Sequence, residues 1–382
     1  MNIHTRYGHV LTFFIILCIT LLLAPLTVYA QGRTSVQEKT VKGVEFLGLV
    51  TFDTGFIFAD TEVGGLSGIT YDAKRGVYYV LSDDPSLTNL ARYYTVAIDF
   101  ADGQLDPGDV AFQDVTTLLN DAGAPFPTDG VDPEGIVWAK GGTLYIASEG
   151  ATDAEPPLNP FVNRSDLNGR QTQALPVPAK FLPNAERTRG VRDNAAFESL
   201  TVTPDRRFLY TATEHALAQD GPRADSSQTS LSRILAYALR DGRPQREFVY
   251  ITGAGLVDLA GLDNEGTLLA LERSFTPGIG NTIKLFEART QVATDVSGRD
   301  DLFDEDMGTP AEFVPVDKRE LVVFLPEPDP DFPLVPDNVE GMTLGPVLPD
   351  GRQTLILVSD NNFNQDQVTQ FIALALEVET GW

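Results

Sequence analysis

Cysteine and histidine are scarce in this 382-residue sequence, which contains one cysteine and three histidines. Cys18 lies in the apolar run 10–23, which is shorter than the roughly 20 residues needed to span a bilayer. The small residues of Val28-Tyr29-Ala30 follow, as expected at a signal peptidase site. We therefore predict a signal peptide over residues 1–30, cleaved near Ala30, and a protein that is secreted or periplasmic.

Cleavage would remove the cysteine and two of the histidines, leaving His215 as the single imidazole. Disulfides, a thiol nucleophile and a zinc site built on several histidines are then excluded. Basic residues are also few: 28 Lys+Arg stand against 54 Asp+Glu, a net charge of −26. Nucleic acid is excluded as a partner because its binding needs a basic face. We expect a monomer without stable membrane insertion after cleavage.

Several catalytic motifs are missing as well. Gly65-Leu66-Ser67-Gly68-Ile69 lacks the final glycine of the Gly-x-Ser-x-Gly nucleophile elbow. The sequence has no Gly-x-x-x-x-Gly-Lys phosphate loop and no His-Glu-x-x-His metalloprotease motif. A serine triad would have to use His215 itself.

What the sequence does contain is a repeat. Each copy has a small or acidic residue before Gly or Ser, an apolar stretch, a turn, and a second apolar stretch that ends near an acid. The anchor positions of the copies are Gly68, Gly135, Ser199, Gly261 and Gly341, separated by 67, 64, 62 and 80 residues. This period suits a four-stranded propeller blade with long outer loops.

The repeat predicts an all-β fold, a β-propeller of five to six four-stranded blades. Segment 320–325 would belong to a degenerate sixth blade in the long last interval. We expect the strands 44–53 and 371–379 to pair in one blade, because this closes the ring and removes both exposed edges. The predicted organisation is a flexible segment over residues 31–42 and a single propeller domain over residues 43–382.

Acidic residues recur at two places in the repeat. One set precedes the anchor position: Glu134, Glu198 and Glu340. The other set ends the following strand: Asp83, Glu149, Glu214, Glu272 and Asp360. Equivalent positions of propeller blades face the same end of the central channel. Oxygen-only ligands favour a hard cation, so we predict Ca²⁺ bound by Asp83, Glu134, Glu149, Glu198, Glu272, Glu340 and Asp360.

Catalysis at such a site would need further groups. We assign Glu214 as general base and its neighbour His215 as a proton carrier. Arg192 and Arg273 would clamp an anionic substrate group, and Asn194 and Asn361 would contact substrate. The alternative is that the acids recur only because the blade recurs, and that they accept backbone hydrogen bonds or pair with arginines.

The same motifs resemble a known family, the phytase-like proteins with "esterase-like activity of phytase". The resemblance runs from about Gly64 to the C-terminus. The motifs that carry it are Gly65-Leu66-Ser67-Gly68, Ser82-Asp83-Asp84, Asp132-Pro133-Glu134-Gly135, Phe197-Glu198-Ser199-Leu200, Glu214, Glu272-Arg273-Ser274, Asp337-Asn338-Val339-Glu340-Gly341 and Ser359-Asp360-Asn361-Asn362-Phe363. It implies a secreted β-propeller that hydrolyses esters or phosphoesters. The Asp-Asp-Pro-Ala-Ile-Trp stretch of true β-propeller phytases is replaced here by Asp132-Pro133-Glu134-Gly135-Ile136-Val137-Trp138, so phytate itself is not implied.

The leading hypothesis is thus a secreted hydrolase of small-molecule esters or phosphoesters with calcium at an acidic channel mouth. A non-catalytic propeller that binds a ligand or partner is the first alternative. A lactonase-type enzyme is the second, since its site would also combine acids with asparagines such as Asn194, Asn338 and Asn361.

Overall fold

The computed structural model describes residues 38–152, 154, 157–304, 309–310 and 312–381. The predicted signal peptide and most of the predicted flexible segment lie outside these residues. Residues 36–382 group as one compact unit. In the part of the chain that is described, no helix is long and apolar enough to cross a membrane.

The described residues form five antiparallel sheets of four strands each. Blade 1 contains β4 (Leu66–Asp72), β5 (Val77–Ser82), β6 (Arg92–Ile98) and β7 (Val110–Thr117). Blade 2 contains β8 (Pro133–Trp138), β9 (Thr143–Ser148), β10 (Phe161–Asp166) and β11 (Gln171–Ala174). Blade 3 contains β12 (Thr201–Val202), β13 (Phe208–Ala212), β14 (Ser230–Ala238) and β15 (Arg243–Thr252). Blade 4 contains β16 (Gly255–Gly261), β17 (Thr267–Thr276), β18 (Gly280–Arg289) and β21 (Asp317–Phe324), and blade 5 contains β22 (Asn338–Val347), β23 (Gln353–Asp360), β24 (Val368–Thr380) and β1 (Lys39–Asp53).

The remaining elements are short. Two small ladders pair β2 (Ile57–Phe58) with β3 (Thr61–Glu62) and β19 (Phe303–Asp304) with β20 (Thr309–Pro310). Two single 3₁₀ turns cover Ala179–Phe181 and Thr290–Val292.

The sheets confirm the all-β propeller and decide between the two predicted blade numbers. Segment 320–325 does not start a sixth blade: it lies largely in β21, which pairs with β18 as the outer strand of blade 4. The long interval before Gly341 is therefore a long loop in blade 4. Strand β1 begins at Lys39, so residues 39–42 belong to the sheet and not to the predicted flexible segment.

The first strand of each blade lies nearest the propeller axis. Strand β4 contacts β8 and β22, strand β16 contacts β12 and β22, and β8 contacts β12. These neighbours form a closed ring. The last blade combines three strands from the C-terminus with β1 from the N-terminal side, and β1 pairs with β24 from Lys39 to Asp53. The predicted pairing of the two terminal strands is confirmed.

Apolar side chains fill the space between blades. Five clusters each combine residues of two adjacent blades, one cluster for every neighbouring pair around the ring. Inner strands are therefore covered on both faces, and all six residues of β9 are buried. This explains why their sequences are continuous apolar runs and lack a regular apolar–polar alternation.

Burial along β24 holds the ring closed. Phe371, Ile372, Leu374 and Leu376 are completely inaccessible to solvent. Phe371 packs toward blade 1, while Ile372 and Leu374 pack toward blade 4. Each such side chain stabilises the fold by about 1.5–3 kcal/mol relative to an exposed position. The closing blade is therefore held on both faces by neighbouring blades.

Glycines occur where the inner strands approach one another at the axis. A Cβ atom on Gly135 would lie 2.9 Å from the carbonyl oxygen of Glu198 and 3.0 Å from the amide nitrogen of Leu200. A Cβ on Gly68 would lie 2.7 Å from the carbonyl oxygen of Glu134. These obstacles are backbone atoms of the next blade, which cannot move aside as a side chain can.

We predict that Gly135→Ala destabilises the protein by about 1–3 kcal/mol, because the added methyl group forces the inner strands of blades 2 and 3 apart. Gly298→Ala is the matched control, since a Cβ there meets nothing within 4 Å. Chemical denaturation of both variants and of the unchanged protein measures the difference. Equal stability of the two variants would contradict the claim that the inner strands are in close backbone contact at the axis.

Candidate active site

A cavity of about 980 Å³ opens at the end of the ring where first strands begin and second strands end. Nine carboxylic acids line it: Asp83, Glu134, Glu149, Glu198, Glu214, Asp337, Glu340, Asp360 and Asp366. Among the described residues that line the cavity, Arg273 is the single cation. The cavity therefore combines a large excess of negative charge with one guanidinium group.

Strand register explains which residues reach this cavity. In blade 1, Leu66 pairs with Ser82, and a bulge precedes the pair of Gly68 with Leu81. Blade 5 repeats the arrangement around the pair of Gly341 with Val358. In both blades, the second-strand residue that follows the pair before the bulge faces the mouth of the cavity. Asp83 and Asp360 occupy this position.

The fourth repeat follows a different alignment from the one predicted. Leu256 pairs with Glu272, and a bulge precedes the pair of Asp258 with Leu271. Asp258, and not Gly261, therefore occupies the position of Gly68, and Arg273 occupies the position of Asp83. Asp258 replaces glycine at the axis because its carboxylate accepts hydrogen bonds from the amides of Leu259 and Met342, at 2.7 and 2.6 Å.

The corrected alignment defines two rings, each made of the residues at equivalent positions of the five blades. The first-strand ring consists of Ser67, Glu134, Glu198, Val257 and Glu340. The second-strand ring consists of Asp83, Glu149, Glu214, Arg273 and Asp360.

Glu272, which we predicted as a metal ligand, lies outside the cavity. Its carboxylate accepts a hydrogen bond from the Tyr250 hydroxyl at 2.8 Å and from the amide of Gly253 at 3.2 Å. It also pairs with Lys318. The side chain links β17 to its neighbours within blades 3 and 4, one position before the residue that faces the mouth.

Carboxylate oxygens converge in two overlapping groups. Asp83, Glu134 and Glu340 bring one oxygen each to within 4.8 Å of one another, and Asp132, Glu134 and Glu149 do the same. Glu134 is common to both groups. Among the described residues, no N–H or O–H group donates a hydrogen bond to the carboxyl of Asp83 or Glu134. These oxygens are therefore available to a cation.

Burial and mutual repulsion disfavour ionisation of these acids. Burial, reinforced by the charges of Asp360 and Glu340, raises the pKa of Asp83 well above its ordinary range. Burial and the charge of Asp132 do the same for the pKa of Glu134. Burial, with the charge of Asp193, raises the pKa of Asp132 to about 6. Without a compensating cation, several of these groups hold protons near neutral pH.

Glu149 and Glu198 share a hydrogen bond between their carboxyl groups. Burial raises the pKa of Glu149 to about 8, even though this hydrogen bond and one donated by the Ala196 amide act to lower it. Burial and the adjacent charge raise the pKa of Glu198 well above the ordinary range. The two carboxyl groups therefore share one proton.

Arg273 compensates part of the negative charge. Its Nη2 lies 3.0 Å from Oε1 of Glu340. Burial alone would lower its pKa, but the charges of Glu340 and Glu214 raise it. Among the described residues, its buried Nε donates to no hydrogen-bond acceptor. Arg273 thus presents a positive charge to the cavity, on a side chain that is 21% exposed.

Glu214 lines the cavity, while His215 lies behind it. Nε2 of His215 is 3.7 Å from Oε2 of Glu214, and its Nδ1 accepts a hydrogen bond from the amide of Ala224. Burial, together with Arg223, lowers the pKa of His215 to about 4. Burial raises the pKa of Glu214 to about 7, although Arg273 counteracts this. The imidazole is therefore neutral near pH 7, and its Nε2 lies beside Glu214 without a hydrogen bond to it.

The remaining predicted substrate contacts divide between the cavity and its surroundings. Asn194 lines the cavity, with a left-handed backbone at φ 48°. Arg192 instead donates to the carbonyl oxygens of Ala216 and Gly221. Asn361 accepts hydrogen bonds from the amides of Gly65 and Phe363 and supports a loop.

The sequence interpretation did not assign Asp132 to the metal site, and it considered Asn338 only for the lactonase-type alternative. Asp132 belongs to the second carboxylate group. Asn338 lines the cavity, and its amide donates to Glu340 and Asp360, at 3.1 Å in both cases. Each precedes an acid by two positions, in Asp132-Pro133-Glu134 and Asn338-Val339-Glu340. Since alternate residues of a strand share a face, this spacing is the signal that could have identified both.

Apolar side chains form one wall of the mouth. Phe275, Val335 and Pro336 line the cavity beside Arg273. Phe275 is 61% exposed, and Ile279, in the same β17–β18 hairpin, is 66% exposed. The site thus offers an apolar surface next to its charged floor.

Residues 61–363 match the phytase-like family, described as "Esterase-like activity of phytase". The chain belongs to this family. The resemblance inferred from the motifs is confirmed, and the match includes both carboxylate groups of this phytase-like propeller. Its family membership supports a hydrolase-like propeller.

Solved structures similar to the phytase-like chain include two propellers of low sequence identity. "Structure of Dos1 propeller" is 8% identical, with a TM-score of 0.35, over 81% of this chain and 68% of the other. "Structure of U3-55K" is 9% identical, with a TM-score of 0.33, over 80% of this chain and 67% of the other. No protein with a curated description matches the sequence.

We predict that, without metal, the stability of this phytase-like protein falls as the pH rises from about 4.5 to about 8. The folded state binds more protons than the unfolded state in this window, because folding raises the pKa of Asp132 to about 6, of Asp360 to about 7 and of Glu149 to about 8. The expected loss is on the order of a few kcal/mol. Chemical denaturation in buffer freed of divalent ions measures it.

Glu149→Gln removes one such group and should flatten the pH profile. Glu320→Gln is the matched control, because Glu320 is a half-exposed acid paired with Lys284 away from the mouth. A profile that rises with pH in this window would contradict the account.

Proposed function

We propose that this protein is a secreted, calcium-dependent hydrolase of carboxylic or phosphoric esters, with its active site in the acidic cavity. The observation that carries this proposal is the convergence of two carboxylate groups on Glu134 beside Arg273. Buried ionised acids without hydrogen-bond donors are costly unless they bind a cation or take up protons. Family membership supports hydrolysis as the reaction type.

The donor set fits calcium. All atoms that converge are carboxylate oxygens, the ligands that hard cations prefer, and the second-strand ring contains no imidazole or sulfur. Asp83, Glu134 and Glu340 would hold one ion, and Asp132 and Glu149 would extend the site around Glu134. Bound calcium would polarise the ester or phosphoryl oxygen and lower the pKa of a coordinated water.

Glu214 would act as the general base. It lines the cavity, and a carboxyl whose pKa lies at about 7 is suited to accept a proton near neutral pH. His215 stays neutral and would pack beside Glu214, with Nε2 3.7 Å from Oε2, in place of the proton transfer that we first assigned to it. The Ala224 amide fixes the Nε2–H tautomer by donating to Nδ1.

Arg273 would bind the anionic part of the substrate. Its Nη2 pairs with Glu340, and its side chain is 21% exposed at the cavity. Phe275 and Ile279 lie on the hairpin beside it and would contact the apolar substituent of an ester. Asn194 and Asn338 would supply neutral polar contacts at the mouth.

Export would place the site in a compartment that supplies calcium. Extracellular modules bind calcium with dissociation constants of about 10⁻⁴–10⁻³ M. A signal peptide over residues 1–30 would place the cavity in a compartment where such a weak site can fill.

We predict that calcium raises the melting temperature of the unchanged protein by several degrees, because the ion binds only the folded state. Glu134→Gln should abolish this rise and lower ester turnover at least about tenfold, since Glu134 belongs to both carboxylate groups. Differential scanning calorimetry and a panel of chromogenic phosphate and acetyl esters, with and without EDTA, provide the measurements.

The matched control for that experiment is Glu320→Gln, which makes the same chemical change at a half-exposed position. A calcium-dependent rise in melting temperature without turnover would replace the enzyme proposal by the non-catalytic binding propeller. Hydrolysis of a lactone assayed beside this panel, without hydrolysis of the phosphate and acetyl esters, would replace it by the lactonase-type enzyme. No rise at all would refute the metal site.

We also predict that Arg273→Lys raises the KM for a phosphate monoester about tenfold and leaves the KM for an acetyl ester nearly unchanged. Lysine keeps the charge beside Glu340 but loses the planar fork that binds an oxyanion through two donors. Steady-state kinetics on both substrates test this. An equal rise for both esters would show that Arg273 maintains the cavity and does not recognise the anion.

A further inference from the structure

A second cavity, of about 660 Å³, lies between blades 2 and 3. It is formed at the ends of β8, β12 and β14 and at the starts of the strands that follow them. The acidic cavity lies where first strands begin, so this second cavity lies at the opposite end of the propeller. The proposed hydrolytic site does not use it.

The charge of this cavity is opposite to that of the protein as a whole. Five cationic residues line it: Lys140, Arg164, Arg206, Arg207 and Arg240. No aspartate or glutamate is among the described residues that line it. The whole chain has 54 acidic and 28 basic residues, so a random grouping of charged side chains would be mostly acidic.

Three of these cations have no acidic partner among the described residues. Arg164 donates to the hydroxyl of Thr143 at 3.2 Å, and the guanidinium of Arg206 lies 4.3 Å from the ring centroid of Trp138. Lys140 has no hydrogen bond or ion pair within the described part of the chain. Arg207 and Arg240 pair with Asp205 and Asp241 of their own turns.

The five cationic residues converge on one concave cavity because of their positions in the fold. The cations come from the β8–β9 turn, from β10, from the β12–β13 turn and from the β14–β15 turn, so four separate segments converge. Thr143, Tyr145 and Gln245 add neutral polar groups to the lining. Arginine forks bind oxyanions through paired donors, and the stacking on Trp138 fixes the plane of Arg206.

We propose that this cavity binds a small polyanion that carries phosphate or carboxylate groups. Several converging cations without acids in the lining match a ligand with two or more negative charges. The volume is that of a small-molecule site. The surrounding negative charge of the protein would repel an extended acidic surface, which favours a compact ligand that enters the cavity.

Isothermal titration calorimetry with tripolyphosphate tests the proposal. The buffer is freed of metal ions with a chelating resin and has low salt, so that no cation can bridge the anion to the acidic cavity. The unchanged protein should bind, and binding should weaken as salt is added. Citrate is a second arm: equal binding assigns both phosphates and carboxylates as ligands, and binding of tripolyphosphate alone assigns phosphates.

The double variant Lys140→Ala/Arg164→Ala should bind tripolyphosphate at least about tenfold more weakly, because it loses two charge-assisted contacts. Lys284→Ala is the matched control, since it removes a cation paired with Glu320 outside the cavity. Arg240→Ala is a further variant that folding cannot confound, because the Arg240 side chain is 83% exposed. Absence of binding by the unchanged protein, or equal weakening by Lys284→Ala, would overturn the proposal.

Discussion

The close approach of the inner strands at the propeller axis is the constraint on which the rest of the structure depends. A Cβ atom on Gly341 would lie 2.8 Å from the carbonyl oxygen of Ser67, and one on Gly68 would lie 2.7 Å from that of Glu134. Each inner strand therefore touches the backbone of the next. The side chains beside these positions are forced into a narrow ring, and three of the five members of that ring are glutamates.

This geometry causes electrostatic repulsion between the glutamates of the ring, and the protein compensates only part of it. Glu134, Glu198 and Glu340 cannot spread apart, because the strands that carry them are held by apolar clusters on both faces. Arg273 neutralises Glu340, and Glu149 shares a proton with Glu198. The remaining negative charge must be compensated by protons or by a bound cation, because buried charge left uncompensated costs the apo fold stability. Such a cost is typical of sites that are built for binding or catalysis.

Asp258 shows how the same constraint can be met differently. It stands where the other blades have glycine or serine, and its buried carboxylate accepts hydrogen bonds from two backbone amides. One of them belongs to Met342 of blade 5, so the side chain ties neighbouring blades together. Blade 4 also contributes Val257 where three other blades contribute glutamate, and Arg273 where all four others contribute an acid, and it carries the apolar hairpin at the mouth. One wall of the cavity thus differs chemically from the others, as an oriented substrate would require.

The acidic and the basic cavity lie at opposite ends of the propeller for a reason that lies in its topology. Antiparallel strands bring residues of the first and second strands together at one end and the turns between them to the other. Acids recur at the first end, while Lys140, Arg206 and Arg207 occupy turns at the second. A single blade sequence can therefore present opposite charges on two surfaces without any pairing between them.

The sequence by itself determined the all-β class, the repeat, the pairing of its two terminal strands, and which acids recur. These follow from local composition and spacing, since buried strands need apolar runs and a ring must close its edges. Only the tertiary structure decided the number of blades, the alignment of the fourth repeat, and the exchange of Glu272 for Arg273 at the mouth. An alignment based on glycine places Gly261 with the other anchor positions. The true register is set by the bulge near Asp258 and by the hydrogen bond that Asp258 accepts from the Met342 amide. Register depends on pairing and on contacts between neighbouring blades whose residues are distant in sequence, which no local pattern encodes.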